Sequence, residues 1–434
     1  MDVCYVNVKG KKEFFELPEG WDLMAMFEAS NPPLLKGLQK AVALALDAPL
    51  GVGKIEEIAR PWMRVCVLFD DFERQTPVGL VLPELLNRLN RAGIPDGRVI
   101  GVCAVGTHRR PSVEALERKI GAEAFERLRG RLFVHDPFSK GNVLVGKTTW
   151  GTPVEVSPYV AFSDLVIGIG TCLPHPCAGY SGGHKILMPG ACSYRTVFEH
   201  HFTWMRNRRA RLDLIEGNPF YEEIVEIGKL CGLIFKVDFV LNEKGKVLNI
   251  FCGDPLFEQK EAIRYLRSNF SVRVSELADV TIISSYPLEE GVQATKALLV
   301  ARLCTRPKGH IIWVCPQTDP QSMQSLAKVL RTIEDPDEFH REALKHGVPT
   351  GMEGLSVSYV MQLVFFKELV RDYRVIYVTD PEAKEFAYDF GFKVFQTLTD
   401  ALEHVKKDLD RAKVLVFPSG GIVIPSFGSE EATP

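Results

Sequence analysis

Apolar runs alternate with amphipathic segments along nearly the whole chain. In the first half, apolar runs of strand length occupy residues 62–71, 98–108 and 163–170. Helical periodicity follows these runs at 78–92, near 112–128 and from about Ser193 onward. Thr76 is the predicted N-cap of the helix at 78–92, with Pro77 at its first helical position. This order of elements predicts strands that are connected through helices.

The second half of the chain repeats the same rhythm. Strands are predicted at 278–287, 309–316, 374–380 and 412–421, and helices near 290–304, 319–333 and 381–390. Residues 1–21 alternate apolar and polar side chains, which predicts a pair of strands. Continuous apolar strands between amphipathic helices are typical of parallel sheets that are covered on both faces. The predicted fold class is therefore α/β, with mainly parallel sheets.

The length of 434 residues exceeds what one ordinary core holds, so we predict two α/β domains. The segment FCGDPLFEQKEAIRYLRSNF changes character near the middle of the chain. We place an N-terminal domain at 1–265 and a C-terminal domain at 266–420. Residues 421–434 form a tail that we expect to be partly disordered.

Composition narrows the classes of partner. Apolar residues make up 46% and charged residues 25%, and the formal charge of −3 gives no reason to expect nucleic acid or an anionic membrane. The composition is still compatible with a small anionic substrate. No signal peptide or membrane-spanning run is visible, and the ten scattered cysteines indicate reduced thiols. We expect a cytoplasmic protein, and the sequence leaves its oligomeric state open.

Polar residues collect where the first three predicted strands end. Asp70, Asp71 and Arg74 follow the first strand, and Gly106, Thr107 and His108 follow the second. The loop HPCAGYSGGHK, residues 175–185, follows the third. Ligands of open α/β sheets bind beyond the carboxyl ends of the strands. We therefore expect these loops to meet in one cleft, which the second domain closes, and we place the active site between the two domains.

The loop 175–185 is compatible with several chemistries. Its G-Y-S-G-G matches a serine-hydrolase elbow, but about ten residues and two prolines separate Ser181 from the strand, which disfavours that interpretation. Its glycines permit positive φ, and their amides could bind an anion. Zinc is a further alternative, although the spacing matches no standard site; the candidate ligands are His175, Cys177, His184, His200 and His201.

Acid–base chemistry is the remaining possibility. His108 and His175 lie on different loops at the same predicted sheet edge. Two histidines that flank a substrate suit a reaction that removes a proton on one face and returns it on the other. The alternative is that each histidine only satisfies a local hydrogen bond. Arg74 and Lys185 nearby in the predicted cleft leave the two interpretations evenly matched.

Longer motifs resemble those of the nickel-dependent lactate racemase family. VLFDDFERQTP resembles its D-D-x-T-R-x-T-P segment, and VGTHRRP resembles its G-T-H-R motif. Residues 175–190 are similar to the signature H-x-x-A-G-[FY]-S-G-G-x-K-x-x-x-P-G, and His201 holds the place of a histidine expected after the lysine. YPLEEGVQATKA resembles the later Q-x-x-K segment. His135-Asp136 also stands in the expected order, and the resemblance covers roughly residues 5 to 420.

The resemblance implies a nickel pincer nucleotide, a pyridinium-3-thioamide-5-thiocarboxylic acid mononucleotide that carries nickel. It implies covalent attachment at Lys185 and His201 as the metal ligand, beside cofactor sulfur and carbon donors that suit Ni(II). His108 and His175 are the implied acid–base residues. The other implied contacts are Asp71, Ser181, Gly182 and Gly183 for the cofactor and its surroundings, and Arg74, Gln293, Lys296 and Tyr359 for the substrate.

The reaction implied by the resemblance is inversion at Cα of a small 2-hydroxy acid, through hydride removal and return. Enzymes that synthesise the cofactor are the implied partners. The chain departs from the family at Glu73, Val292 and Tyr359, and also at Pro176 and Cys177. Since these departures fall largely on the substrate side, we predict a racemase or epimerase for an acid other than lactate. Lactate racemase itself, a zinc-dependent hydrolase or lyase, and a cofactor carrier are the alternatives.

Overall fold

The computed structural model describes residues 3–28, 30–72, 74–316, 324, 327–347, 352, 355–381 and 387–427, apart from the side chain of Val292. The chain forms two compact units. One comprises residues 32–266, and the other combines residues 1–31 with 267–434. This division differs from the predicted domain at 1–265, because the N-terminal strands belong to the unit that contains the C-terminal half.

Strands and helices alternate along the described chain. The strands are β1 Val3–Val8, β2 Lys11–Glu16, β3 Trp21–Met26, β4 Val65–Phe69, β5 Val99–Cys103, β6 Leu132–Val134, β7 Val143–Lys147, β8 Pro153–Val156, β9 Leu165–Thr171, β10 Pro174–His175, β11 Gly179–Tyr180, β12 Leu233–Leu241, β13 Val247–Gly253, β14 Ser271–Val274, β15 Ala278–Ser284, β16 Thr305–Val314, β17 Arg374–Val378, β18 Lys393–Phe395, β19 Ala412–Phe417 and β20 Ile424–Phe427. The α-helices are α1 Leu38–Asp47, α2 Ile55–Ile58, α3 Val78–Arg91, α4 Val113–Ile120, α5 Ala122–Arg127, α6 Pro158–Ala161, α7 Tyr194–Trp204, α8 Pro219–Leu230, α9 Pro255–Phe270, α10 Lys296–Cys304, α11 Pro336–His346, α12 Val357–Asp372 and α13 Leu398–Lys406.

The unit of residues 32–266 is built on a six-stranded sheet in the order β13-β12-β9-β4-β5-β6. Its strands are parallel except for β13, which runs antiparallel to β12. Every residue of β4 and β9 is buried, as expected for central strands that are covered on both faces. The helix α3 contributes an apolar face to the core, which includes Val81, Leu85 and Leu89.

The other unit has its own six-stranded sheet, in the order β18-β17-β16-β15-β19-β3. All of its pairings are parallel. The hairpin of β1 and β2 is the strand pair predicted at the N-terminus. The strand β3 pairs with β19 through Trp21 opposite Ala412, which explains why the first residues join this unit. Local sequence carries no signal for a partner so distant in the chain.

Two local predictions differ from the structure, and others lie outside the described residues. Pro77 rather than Thr76 is the N-cap of α3, because the Thr76 hydroxyl instead bonds Asp70 and Thr171. The strand at 412–417 is not the last, since β20 follows and pairs with β14 inside the predicted tail. Residues 428–434 and much of the helices predicted at 319–333 and 381–390 lie outside the described residues.

The predicted fold class is confirmed. Mixed helices and mainly parallel sheets form two units, as the alternation of apolar runs and amphipathic segments indicates. Within the described part of the chain, no helix has the length and apolar character needed to cross a bilayer.

Candidate active site

Three loops at the carboxyl ends of adjacent strands carry most of the predicted site residues. The strands β9, β4 and β5 are neighbours in the sheet, and they run parallel. Asp71 follows β4, His108 follows β5, and the loop from His175 to Lys185 follows β9. Because the sheet is parallel, these three loops leave it at the same edge. The expected grouping of loops within this unit is therefore present.

The first contact of the site joins His108 to Asp71. Nδ1 of His108 lies 2.8 Å from Oδ2 of Asp71, and the carboxylate is buried while the imidazole keeps 24% side-chain exposure. A carboxylate accepts hydrogen bonds only, so Nδ1 of His108 is the donor in this contact. In the neutral ring the lone pair then resides on Nε2. His108 is accordingly set up to accept a proton at Nε2.

His175 has the opposite tautomer. It ends the short strand β10, which pairs with β11 in a tight hairpin. The N–H groups of Cys177 and Ala178 lie 3.3 and 3.0 Å from Nδ1 of His175, and both donate to it. The neutral ring therefore carries its proton on Nε2. In their neutral forms, Nε2 of His108 is therefore a hydrogen-bond acceptor, whereas Nε2 of His175 is a donor.

The ring of Phe220 brings the remaining predicted groups together. Nζ of Lys185 lies 5.8 Å from the ring centroid. The centroids of His175, His200 and His201 lie 6.2, 4.5 and 4.8 Å from it. Phe220 stands at the start of α8, where its apolar side chain signals only core packing in the sequence. Sequence reasoning therefore missed the residue that the four predicted groups share.

Burial changes the protonation of this cluster. It lowers the pKa of Lys185 to about 8, and the nearby charge of Arg74 acts in the same direction. About one tenth of such amines are neutral at pH 7. Burial also lowers the pKa of His200 to about 3 and holds that of His201 well below its usual value. Both histidines are therefore neutral, which is the form of imidazole that binds metals.

His200 fixes the orientation of the proton on His201. Nε2 of His200 lies 2.9 Å from the carbonyl oxygen of Phe220, so it carries a hydrogen and donates. Its Nδ1 is left as an acceptor, 3.1 Å from Nδ1 of His201. His201 therefore donates through Nδ1 and keeps its lone pair on Nε2. The two side chains of adjacent helical residues contact each other, although the helical offset predicts that they diverge.

The glycine-rich part of the loop differs from the predicted anion nest. The N–H of Gly183 donates to Oδ2 of the buried Asp238 at 2.7 Å. A Cβ on Gly182 would collide with the same carboxylate, and Gly182 has a φ of +82°. The hydroxyl of Ser181 donates to the carbonyl of Thr171 at 3.0 Å and accepts from the N–H of Leu173 at 2.9 Å. Ser181 and Gly183 therefore hold the loop on the sheet.

Two further histidines of the motifs are structural. His184 is buried and packs on Gly228 of α8, where a Cβ would collide with the imidazole. Nε2 of His135 donates to the carbonyl of Cys192 at 2.8 Å, in the interior. Among the described residues, no three His, Cys, Asp or Glu side chains are grouped to hold a metal ion. The zinc alternative therefore lacks a complete set of protein ligands in the described chain.

The predicted substrate residues of the second half lie in the other unit. Lys296 begins α10, and Gln293 precedes it in a short 3₁₀ turn after β15. The side chain of Gln362 on α12 donates to the hydroxyl of Thr295, between these two residues. Tyr359 stands one turn before Gln362 on the same face of α12. The bond from Gln362 to Thr295 joins the two segments of the unit that carry the three predicted residues.

Comparison with known proteins identifies both halves of the chain. The model described as the lactate racemase N-terminal domain matches residues 9–213, and the one described as the lactate racemase C-terminal domain matches residues 274–424. A lactate racemase of Lactiplantibacillus plantarum is 27% identical over 392 residues, which cover 89% of this chain and 91% of that protein. One of Thermoanaerobacterium thermosaccharolyticum is 24% identical over 389 residues, 88% of this chain and 89% of the relative.

Solved structures share the fold. The lactate racemase apoprotein from Thermoanaerobacterium thermosaccharolyticum superposes with a TM-score of 0.83 at 22% identity, and covers 98% of this chain and 100% of its own. A protein from Thermotoga maritima has a TM-score of 0.62 at 18% identity, with 92% and 100% coverage. With two consecutive domain models matched along most of its length, this chain belongs to the lactate racemase family.

Proposed function

We propose that the chain is a racemase or epimerase of a 2-hydroxy acid other than lactate, and that it uses a nickel pincer nucleotide attached to Lys185. The observation that carries the proposal is the cluster at Phe220, which joins Lys185, His201 and His175. The His108–Asp71 pair joins the two neighbouring loops of the same sheet edge, those after β4 and β5.

Two properties of the described residues fit this cofactor. Acylation of a lysine requires the neutral amine, and burial favours that form at Lys185. His201 offers Nε2 as a neutral donor, because its Nδ1 faces His200. A single protein ligand is sufficient where the cofactor supplies the other donors. Bound there, the cofactor would supply a hydride acceptor that can also return hydride.

The protein residues would supply proton transfer and binding. His108, with its Nε2 lone pair, would take the hydroxyl proton of the enantiomer that faces it. His175, with hydrogen on Nε2, would donate that proton to the carbonyl oxygen of the planar 2-oxo acid once the acid has turned its other face. Arg74 would hold the substrate carboxylate, since a guanidinium binds carboxylates with two parallel hydrogen bonds. Lys296 and Gln293 are proposed to complete the substrate site.

The test is mass spectrometry of the peptide that contains Lys185, after co-expression with the cofactor-making enzymes. We expect the mass of the nucleotide on Lys185, a missed tryptic cleavage there, and nickel bound to the protein. Lys185→Arg, which keeps the positive charge but cannot form the same amide-type bond, is the matched control and should lack both nucleotide and activity. An unmodified Lys185 in a protein that racemises its substrate would overturn the proposal.

The substrate is tested separately, with chiral chromatography of short aliphatic, aryl, dicarboxylic and sugar 2-hydroxy acids. We expect the highest kcat/KM on an acid other than lactate. If lactate is the best substrate, the chain is a lactate racemase and only the substrate part of the proposal fails. A loaded protein that turns over none of these acids would instead support a carrier, for which the His108–Asp71 pair has no evident use.

A further inference from the structure

Lys119 on α4 contacts the loop that carries two of the proposed site residues. Its Nζ lies 2.9 Å from Oδ1 of Asp70, 2.8 Å from the carbonyl oxygen of Asp71 and 2.7 Å from that of Arg74. An ammonium group has three donors. Two of these donors are taken by main-chain carbonyls of the same loop, the carboxylate of Asp70 forms an ion pair with the ammonium group, and the side chain is only 9% exposed.

These contacts act on backbone as well as on charge. Asp70 belongs to no predicted function, whereas Asp71 bonds His108 and Arg74 is proposed to bind the substrate. Two of the three acceptors of Lys119 are the main-chain carbonyls of these functional residues. Between them, Phe72 is 49% exposed, so its ring contributes little to holding this turn. The lysine thus fixes the points from which both functional side chains project.

The helix that bears Lys119 is itself firmly held. Ser112 caps its N-terminus by accepting from the N–H of Ala115 at 3.2 Å. Leu116 and Ile120, which flank Lys119 on α4, are buried in the core of the unit. The ammonium group therefore connects a packed helix to the loop that carries Asp71 and Arg74. In the sequence Lys119 is one of several charges on an amphipathic helix, and nothing distinguishes it from a solvated one.

We propose that Lys119 is a positioning residue for catalysis, which holds the loop of Asp71 and Arg74 in its productive geometry. The proposal rests on the proposed function of that loop. Its rival is a purely structural role, in which Lys119 only neutralises the carboxylate of Asp70. The two differ in what restores activity, because the rival requires only that the charges balance.

The experiment compares Lys119→Met, the double variant Lys119→Met/Asp70→Asn, and Arg118→Met in the cofactor-loaded enzyme. Lys119→Met removes the donors and keeps the length of the side chain. We expect kcat/KM to fall about 100-fold, since misplacing catalytic groups by about 1 Å costs this much. KM should rise because Arg74 binds the substrate less well. The value of kcat should fall because Asp71 no longer holds His108 in place. Arg118→Met, an exposed charge on the same helix, should change neither.

The double variant separates the two roles. It balances the buried charges again, so its thermal stability should recover, but both carbonyls still lack their donor. We expect kcat/KM to stay low. Recovery of kcat/KM to within about threefold of the wild type, less than 0.7 kcal/mol in the barrier, would assign Lys119 a charge-balancing role and overturn the proposal.

A second measurement does not depend on activity. Amide hydrogen exchange in the apoprotein should be faster over residues 71–76 in Lys119→Met than in the wild type, and unchanged in Arg118→Met. Unaltered exchange over these residues would show that the loop is held by other contacts and would overturn the proposal. If the loaded wild type turns over no 2-hydroxy acid, the proposed function fails, and the exchange result still decides whether Lys119 holds the loop.

Discussion

Glu258 provides a test of the buried charges beneath the loop of Lys185. The residue stands on α9, is fully buried, and lies beside the carboxylate of Asp238. Burial raises its pKa well above the usual value, and the charges of Asp238 and Asp254 act in the same direction. The positive charge of Lys236 opposes them. In the folded protein Glu258 therefore keeps its proton at pH values where the unfolded chain has lost it.

The sign of the effect follows from proton binding. Above the usual pKa of about 4.5, the folded state holds one proton more than the unfolded state, so the free energy of unfolding falls as the pH rises. The slope is about 1.4 kcal/mol per pH unit, until the pH passes the raised pKa of the folded state. Glu258→Gln keeps the shape and removes this dependence. As the pH rises by two units in this window, the free energy of unfolding of the variant should increase by about 2.7 kcal/mol relative to that of the wild type.

Urea unfolding measured from about pH 5 to pH 8 checks this slope. Glu261→Gln is the control, because Glu261 lies on the same helix in a partly exposed ion pair with Arg264 at 2.9 Å. The free energy of unfolding of this control should differ little from that of the wild type, and the difference should change little with pH. A stability difference between Glu258→Gln and the wild type that stays constant with pH would refute the reasoning. An increase in the stability of the wild type relative to the variant as the pH rises would refute it as well.

Two further perturbations address packing and proton transfer. Gly228→Ala should destabilise the protein by about 1–3 kcal/mol in thermal or urea unfolding, because the added methyl group would meet the buried ring of His184; Gly97→Ala, where a Cβ meets no neighbour, is the control. His175→Asn should abolish racemisation in both directions, yet the enantiomer that uses His108 should still give 2-oxo acid in an acid-quenched single turnover. Loss of that half-reaction for both enantiomers would contradict the separate roles of the two histidines.

The sequence predicted the elements of the site better than their supports. The apolar runs of β4 and β9 are buried on both faces, so their composition alone indicates central strands. A parallel sheet then brings the loops after these strands to one edge. Phe220 and Lys119 were missed because an apolar residue on an amphipathic helix usually indicates core packing, and a charged one usually indicates a solvent-facing position. Their roles depend on contacts between residues far apart in the chain.

In the glycine-rich loop, the sequence instead suggested a ligand-binding role for residues that support the loop. Its composition correctly indicated positive φ at Gly182 and Gly183, but composition does not tell what the freed space receives. In the structure, that space receives the carboxylate of Asp238 and the amide of Gln259. A polar group on a distant strand or helix gives no local signal in the sequence, so a loop shaped around its own support resembles a loop shaped around a ligand.

The pairing of β3 with β19 has a consequence for biosynthesis. Residues 32–266 form a continuous insert within a unit whose strands come from both sides of it in the chain. On the ribosome, the insert is complete long before Ala412–Phe417 is synthesised, so it can fold while β3 waits for its neighbour. A fragment cut at 1–265 would leave Trp21–Met26 as an exposed strand edge that favours aggregation. A fragment of residues 32–266 would carry Lys185, His108 and His175 without that edge.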